Sequence, residues 1–370
     1  MKAANLYKST LVLSLLALVT AVACFLIGNA QVASLFLVSA FVLAAIGVRG
    51  YANFKGFAYT FVIFAATAAA LCYPSVFVTF HGFALKRLTV PLLIIVMFAM
   101  GSHTNVKDFL GIIKTPKPVF VGLLCHYIIM PGLGFLLAYF SGLPPGIAAG
   151  IILVGCSPSG TASNIMAYIS GGNMSLSVTI TALSTLVAPV MTPLLMKLLA
   201  SQLVPINFWE MVWSITQIVI LPVIAGLIYN WLARGRFKRL NDLLPTVAMG
   251  AIAFIVAVIV AAGRDALLSI GPLLIILVLV HNLAGYFLGY RLSRIFKLRE
   301  DEARTIAFEV GLQNAGLASG IAVKMGMVAT MGLAPGVFGS LQNISASVLA
   351  TWWKKRIPVM KNIKPVKVNA

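Results

Sequence analysis

Apolar stretches of about twenty residues recur from one end of the chain to the other, and that is the length a helix needs to cross the hydrocarbon of a bilayer. Read between charged residues and Gly/Pro punctuation, they fall at roughly 9–28, 31–48, 57–80, 88–103, 117–141, 145–171, 175–202, 210–233, 244–263, 270–295, 302–325 and 329–353. Only 9% of the 370 residues are charged and 61% are hydrophobic, against about 25% and 45–50% in soluble domains. Side chains this poor in charge cannot cover a water-facing globule. The length would suit two soluble domains, but the composition predicts an all-α polytopic membrane protein of about twelve transmembrane helices. Cys24, Cys72, Cys125 and Cys156 all sit inside apolar runs. They read as small buried hydrophobes, with neither metal-ligand spacing nor the layout of a disulfide scaffold.

The formal charge of +19 comes from 27 Lys and Arg against 8 Asp and Glu. In a soluble chain such an excess points to nucleic acid; here it borders the apolar runs and points to membrane lipid instead. With the N-terminus in the cytoplasm, the groups at 2–8, 49–55, 107–117, 234–239, 291–304 and 354–367 share one side. The other side receives only Lys86, Arg87, Lys197, Arg264 and Lys324. This asymmetry is the positive-inside pattern. Dropping one span from the middle would invert every later loop and destroy it, so twelve spans with both termini cytoplasmic are expected. The first stretch runs past Cys24 with the second close behind, which reads as a span rather than a cleaved leader. Residues 355–370 form a short basic tail suited to a lipid surface.

In such a chain the informative residues are polar ones at membrane depth, because each is expensive. Asp108, Glu210, Asp242, Asp265, Glu300, Asp301 and Glu302 fall in loops or at segment ends, and Glu309 alone lies well inside an apolar stretch. A solitary buried carboxylate must be protonated, paired or bound to a cation, and no Lys or Arg lies near that depth in sequence. Just after it, Gly311, Gln313, Asn314 and Gly316 interrupt the helical pattern. The sixth stretch breaks likewise at Gly155-Cys-Ser-Pro-Ser-Gly-Thr-Ala-Ser-Asn164. Irregular backbone survives at this depth only inside protein or along a cavity. Ser157, Ser159, Thr161, Ser163 and Asn164, with Ser177 and Thr181 an i, i+4 pair on the next helix, offer oxygen ligands of the kind hard cations take. The sixth and eleventh stretches are five apart, and an odd offset gives them opposite orientations. That is the signature of inverted repeats whose broken helices cross at the midplane. Their half-helix N-termini suit an anion.

These residues resemble the bile acid:sodium symporter family. The match runs over roughly 57–354 and is carried by Met130-Pro131, Gly155–Asn164, Asn173, Ser177, Thr181, Ala188-Pro-Val-Met-Thr-Pro193 and Glu309-Val-Gly-Leu-Gln-Asn-Ala-Gly-Leu-Ala318. The resemblance implies ten helices in two inverted five-helix repeats, with a panel domain (57–103 and 210–263) and a core domain (117–202 and 270–354). Residues 1–50 then form an extra N-terminal helix pair; an even addition leaves the later topology unchanged. The resemblance further implies a first sodium site on Ser163, Asn164, Ser177, Thr181 and Glu309. It puts a second on Glu309, Val310, Leu312 and Gln313, completed in bacterial relatives by a Gln where this chain has His126. Imidazole is a poor sodium ligand and titrates near neutrality, so the second site is expected to be weakened, reshaped or proton-sensitive. Substrate contacts are implied at Thr161 and Asn314, with Gln342 and Asn343 contributing.

The function so implied is sodium-coupled symport of an organic anion by alternating access, the anion being bile-acid-like or a small carboxylate such as pantoate or pyruvate. A bacterial plasma membrane is expected, as monomer or homodimer, with Na⁺ as coupling ion. Proton-coupled or uncoupled transport is the alternative, motivated by His126. A ligand sensor would need an effector domain, and an enzyme would need a catalytic pair that no motif here supplies. The remaining intramembrane polar pair, His281 and Asn282, reads as helix-to-helix hydrogen bonding, and Trp352-Trp353 as an aromatic anchor at the membrane border.

Overall fold

A computed structural model describes residues 2–51, 57–105, 115–233, 236 and 238–356. Each of the twelve expected stretches carries helix: α1 (Lys2–Leu26), α2 (Ala30–Gly47), α3 (Phe57–Cys72), α4 (Pro74–Val78), α5 (Lys86–Ser102), α6 (Pro116–Phe140), α7 (Pro145–Cys156), α8 (Ala162–Ile169), α9 (Met174–Ala200), α10 (Phe208–Ile215), α11 (Leu221–Ala233), α12 (Lys238–Ala262), α13 (Arg264–Ile295), α14 (Glu300–Gly311), α15 (Ala315–Lys324) and α16 (Leu333–Lys354). Among the described residues, seven helical stretches are long and apolar enough to span a bilayer, and α3, α7 and α15 are apolar but shorter. The chain is therefore an all-α polytopic membrane protein. Basic residues counted above at Lys55, Lys107, Lys114, Arg234, Lys361, Lys364 and Lys367, and nearly all of the tail 355–370, lie outside the described residues.

Three departures from expectation have local causes. The third stretch does not stay helical to residue 80. Pro74 has no N–H to give and disfavours helix in the residue before it, so α3 stops at Cys72 and a single turn, α4, follows. Beyond it β1 (Thr79–Phe80) and β2 (Phe83–Ala84) pair antiparallel, Thr79 opposite Ala84 and Phe80 opposite Phe83. His81 and Gly82 both have positive φ, 47° and 80°, which a two-residue type I′ hairpin turn demands. In the eighth stretch a π-turn, Thr216–Ile220, separates α10 from α11. Finally, Trp352 and Trp353 do not share a role. Neighbours on a helix point about 100° apart, so Trp352 is exposed while Trp353 is buried against Phe308 and Tyr290.

Helices α3, α5, α11 and α12 pack on one another, as do α6, α7, α9, α13, α14 and α16; α5 against α15 and α3 against α16 join the two groups. The α5–α11 contact is backbone on backbone: a Cβ on Gly101 would lie 2.2 Å from the Val223 carbonyl oxygen, and one on Gly226 2.3 Å from that of Phe98. Small residues are what permit such approach between membrane helices. The N-terminal pair packs α1 on α2 and α2 on α3, with Phe41 against Phe64 and Ser34 hydrogen-bonded to Tyr73 at 2.7 Å. A continuous apolar core runs through Leu93, Met97, Ile151, Ile152, Ile306 and Phe338, while Phe120, Ile128, Tyr139 and Phe140 on α6 face outward.

Candidate functional site: two crossed helix breaks around Glu309

Helices α7 and α8 are separated at Ser157–Thr161, and α14 and α15 at Leu312–Asn314. Pro158 withholds a donor at the first break, and the second falls in a run of glycine and amide residues. The two breaks meet through an isolated antiparallel bridge, Ser159 opposite Gln313. Gly160 N–H donates to the Leu312 carbonyl at 2.9 Å, and Asn314 N–H to the Pro158 carbonyl at 2.8 Å. Only glycine fits at 160, since a Cβ would lie 2.8 Å from the Gln313 carbonyl oxygen.

Unwinding strands backbone groups that must find partners elsewhere, and the second break finds them on several elements. The Glu309 carbonyl faces His126 Nδ1 at 2.9 Å. The Val310 carbonyl accepts from Gln313 Nε2 at 2.6 Å and the Gly311 carbonyl from Asn282 Nδ2 at 2.8 Å. Gln313 N–H and C=O both pair with the Gln342 carboxamide, at 2.9 and 3.0 Å.

Beside the crossing, the Glu309 side chain is fully buried. Ser177 Oγ donates to its Oε1, and Thr181 Oγ1 to its Oε2 at 2.8 Å. Asn164 Oδ1 lies 2.8 Å from Ser177 Oγ and 3.3 Å from Thr181 Oγ1, each of which has a single proton to share between it and Glu309, and Ser163 Oγ lies 3.2 Å from Thr181 Oγ1. All five residues expected at the first sodium site are thus gathered on α8, α9 and α14. None of the four ion pairs among the described residues includes Glu309. A carboxylate ringed by hydroxyl and amide oxygens, with no basic side chain on it, is a donor set for a hard monovalent cation.

The residues expected at the second site are also neighbours, but most of their oxygens are engaged. Leu312 O is bonded to Gly160 and Val310 O to Gln313. Gln313 Oε1 is buried without a hydrogen-bond partner, an oxygen free for a ligand. His126 is fully buried, with Nδ1 on the Glu309 carbonyl and Nε2 2.9 Å from the Ser157 carbonyl. The ring therefore braces one break against the other, and a neutral imidazole has one N–H for the two carbonyls.

Of the expected substrate residues, Thr161 is exposed at the N-terminus of α8, where no side chain caps the helix, whereas Asn314 caps α15 through Leu317 N–H at 3.0 Å. Gln342 and Asn343 are both engaged with backbone, to different degrees. Gln342 is buried on the Gln313 backbone, and Asn343 donates to Gly339 of its own helix at 3.1 Å. A helix register that no single sequence displays sets both orientations. Reading the sequence also passed over Ser184, whose hydroxyl receives Ser159 N–H at 3.2 Å, and Ser345, which bonds Asn282; the one available signal was Asn282 itself, an amide at membrane depth. A cleft lined by Met100, Thr185, Leu186, Ile220, Val223 and Leu227 opens between α5, α9 and α11, on the same helix as Thr181.

Two helix breaks bridged through Ser159 and Gln313, beside a buried carboxylate among hydroxyl and amide oxygens, mark the centre of this polytopic membrane protein. The model of the sodium bile acid symporter family matches residues 90–270. The chain is 36% identical over 311 residues to the sodium-dependent transporter YocS of Bacillus subtilis (strain 168), spanning 84% of this chain and 95% of that one. It is 36% identical to the probable sodium/metabolite cotransporter BASS1, chloroplastic, of Arabidopsis thaliana, over 72% of this chain and 66% of that one. To the ileal sodium/bile acid cotransporter of Homo sapiens it is 37% identical, over 62% of this chain and 67% of that one. The chain belongs to the sodium bile acid symporter family, a family of multi-pass sodium-dependent transporters rather than enzymes.

Proposed function

We propose that the protein is a sodium-coupled symporter that carries an organic anion across a bacterial plasma membrane, with both termini cytoplasmic. The observation that carries the reading is Glu309: a fully buried carboxylate held by Ser177 and Thr181 and, among the described residues, in no ion pair. Na⁺ seated among Glu309, Ser163, Asn164, Ser177 and Thr181 neutralises that charge and ties α8, α9 and α14 together. With the crossing ordered, the exposed N-terminus of α8 at Thr161 offers a positive helix end to a carboxylate. Asn314 lies at the opposing helix end.

The panel helices (57–103 and 210–263) form one body and the core helices (117–202 and 270–354) the other, and the loaded core moves against the panel to expose the site alternately. Coupling requires that the anion bind more tightly with Na⁺ present and Na⁺ more tightly with the anion, by the same factor. The test is uptake of labelled taurocholate, pantoate and pyruvate into proteoliposomes, with an inward Na⁺ gradient or with K⁺ replacing Na⁺. At least one of these anions accumulates only with the Na⁺ gradient. Equal uptake in Na⁺ and K⁺ would establish uncoupled or proton-coupled transport instead.

A further inference from the structure

We propose that Gln342 is a positioning residue for the sodium-binding crossing: its carboxamide stands in for a neighbouring β-strand and aims the Leu312 carbonyl at the first break. The proposal rests on the sodium reading above and adds to it a residue that need not touch the ion. Gln342 Oε1 receives the Gln313 N–H and Gln342 Nε2 donates to the Gln313 carbonyl, which is the pair of bonds a facing residue makes in a β-ladder. A side-chain amide is the group that carries one donor and one acceptor in the geometry of a peptide.

The consequence follows from peptide planarity. In a trans peptide the N–H and the preceding C=O point in opposite directions. Fixing Gln313 N–H toward α16 therefore turns the Leu312 carbonyl away from α16, where Gly160 N–H meets it at 2.9 Å and Ser159 Oγ at 3.4 Å. Fixing Gln313 C=O likewise turns Asn314 N–H toward the Pro158 carbonyl at 2.8 Å. Gln313 thus lies between a real strand segment, Pro158–Gly160, and a side chain imitating one.

The clamp is itself braced. The Gln342 carbonyl accepts from Tyr286 Oη at 3.2 Å and Ser345 Oγ at 2.9 Å. Ser345 Oγ also bonds Asn282, whose Nδ2 holds the Gly311 carbonyl. Helices α13 and α16 therefore grip the break on either side of Leu312. An oxygen site built at a helix break depends on where its carbonyls point, and this network sets that direction from outside the cage.

The experiment is a Na⁺ titration of thermal stability on the full chain, with K⁺ holding ionic strength constant. It compares wild type, Gln342→Leu, Gln342→Glu and Ser340→Ala, whose hydroxyl bonds only its own helix. The Leu variant removes both bonds; the Glu variant keeps an acceptor for Gln313 N–H and sets a carboxylate against its carbonyl. Both are expected to raise the Na⁺ midpoint about tenfold, equivalent to about 1.4 kcal/mol, while Ser340→Ala keeps the wild-type midpoint. Wild-type protein that Na⁺ does not stabilise would count against the sodium reading itself. A stabilised wild type with unchanged midpoints in both Gln342 variants overturns the positioning role alone. Should neither variant fold, amide hydrogen exchange on wild type decides: Na⁺ must slow exchange at Gln313, and whole-protein stabilisation without that slowing overturns the proposal.

Discussion

Replacing Gly160 by alanine tests the crossing with a single methyl group. A Cβ there lies 2.8 Å from the Gln313 carbonyl oxygen and 3.2 Å from its carbon, where C···O contacts settle at about 3.3–3.6 Å. Relief requires the two breaks to part by about half an ångström. The Gly160 N–H to Leu312 bond, 2.9 Å in the native structure, then lengthens to about 3.4 Å, beyond the usual range. Losing it costs about 1 kcal/mol and overpacking a further 1–3 kcal/mol. The larger effect is on the cation, because Ser163 and Asn164 follow Gly160 within one turn and carry part of the cage facing Glu309. We expect Gly160→Ala to raise the Na⁺ midpoint at least tenfold, about 1.4 kcal/mol, and to lower the unfolding temperature in both NaCl and KCl. The assay is unfolding of the purified protein across a NaCl series at constant ionic strength. An unfolding temperature and midpoint indistinguishable from wild type would refute the inference that backbone contact at Gly160 sets the cage.

Further outcomes follow from the same geometry. Glu309→Gln keeps the volume and removes the charge; opposite charges about 4 Å apart are worth about 4 kcal/mol at an effective protein dielectric of about 20, so the Na⁺ midpoint should rise by more than 100-fold, and an unchanged midpoint would exclude Glu309 as the ligand. His126→Gln replaces a ring nitrogen by an amide oxygen against the Glu309 and Ser157 carbonyls, and uptake should depend more steeply on Na⁺; an unchanged or shallower curve would dissociate His126 from the cation. At the N-terminal end of α14, hydrogen bonds from Arg299 hold the Asp301 carboxyl below its usual value of 3.8. The stabilisation from that pair is complete above about pH 3.8 and fades as pH falls toward the lowered folded value. The difference in unfolding temperature between wild type and Arg299→Ala should therefore shrink below about pH 4, and a difference independent of pH would argue against the pairing.

The most legible parts of this molecule in sequence were those where chemistry and hydrocarbon conflict. Glu309 stood out because a carboxylate in an apolar stretch has few excuses, and the two breaks because proline, glycine and amides interrupt helices at a depth where interruption is costly. Ser177 and Thr181 share a helix face by spacing alone, whereas the choice of Ser163 and Asn164 from the polar run 157–164 rests on the family resemblance. What stayed hidden depends on rotation and on distant partners. Whether Gln342 faces a substrate or the backbone of Gln313 is decided by the rotation of α16, which one sequence does not display. The same holds for Trp353, buried beside a similar but exposed neighbour. The end of α3 was masked differently: Val76, Val78, Phe80 and Phe83 extend the apolar count through a hairpin, and Pro74 was the only sign that the helix had ended.

The N-terminal pair joins the rest through α2 on α3, with Phe41 on Phe64 and Ser34 on Tyr73. No hydrogen bond at either break or around Glu309 reaches back into residues 2–51. The hydrogen bonds described at the crossing thus all lie between His126 and Ser345. A shortened chain beginning near Phe57 would keep every strut of the crossing, and fusions to the leading end would sit a full helix layer away from the machinery.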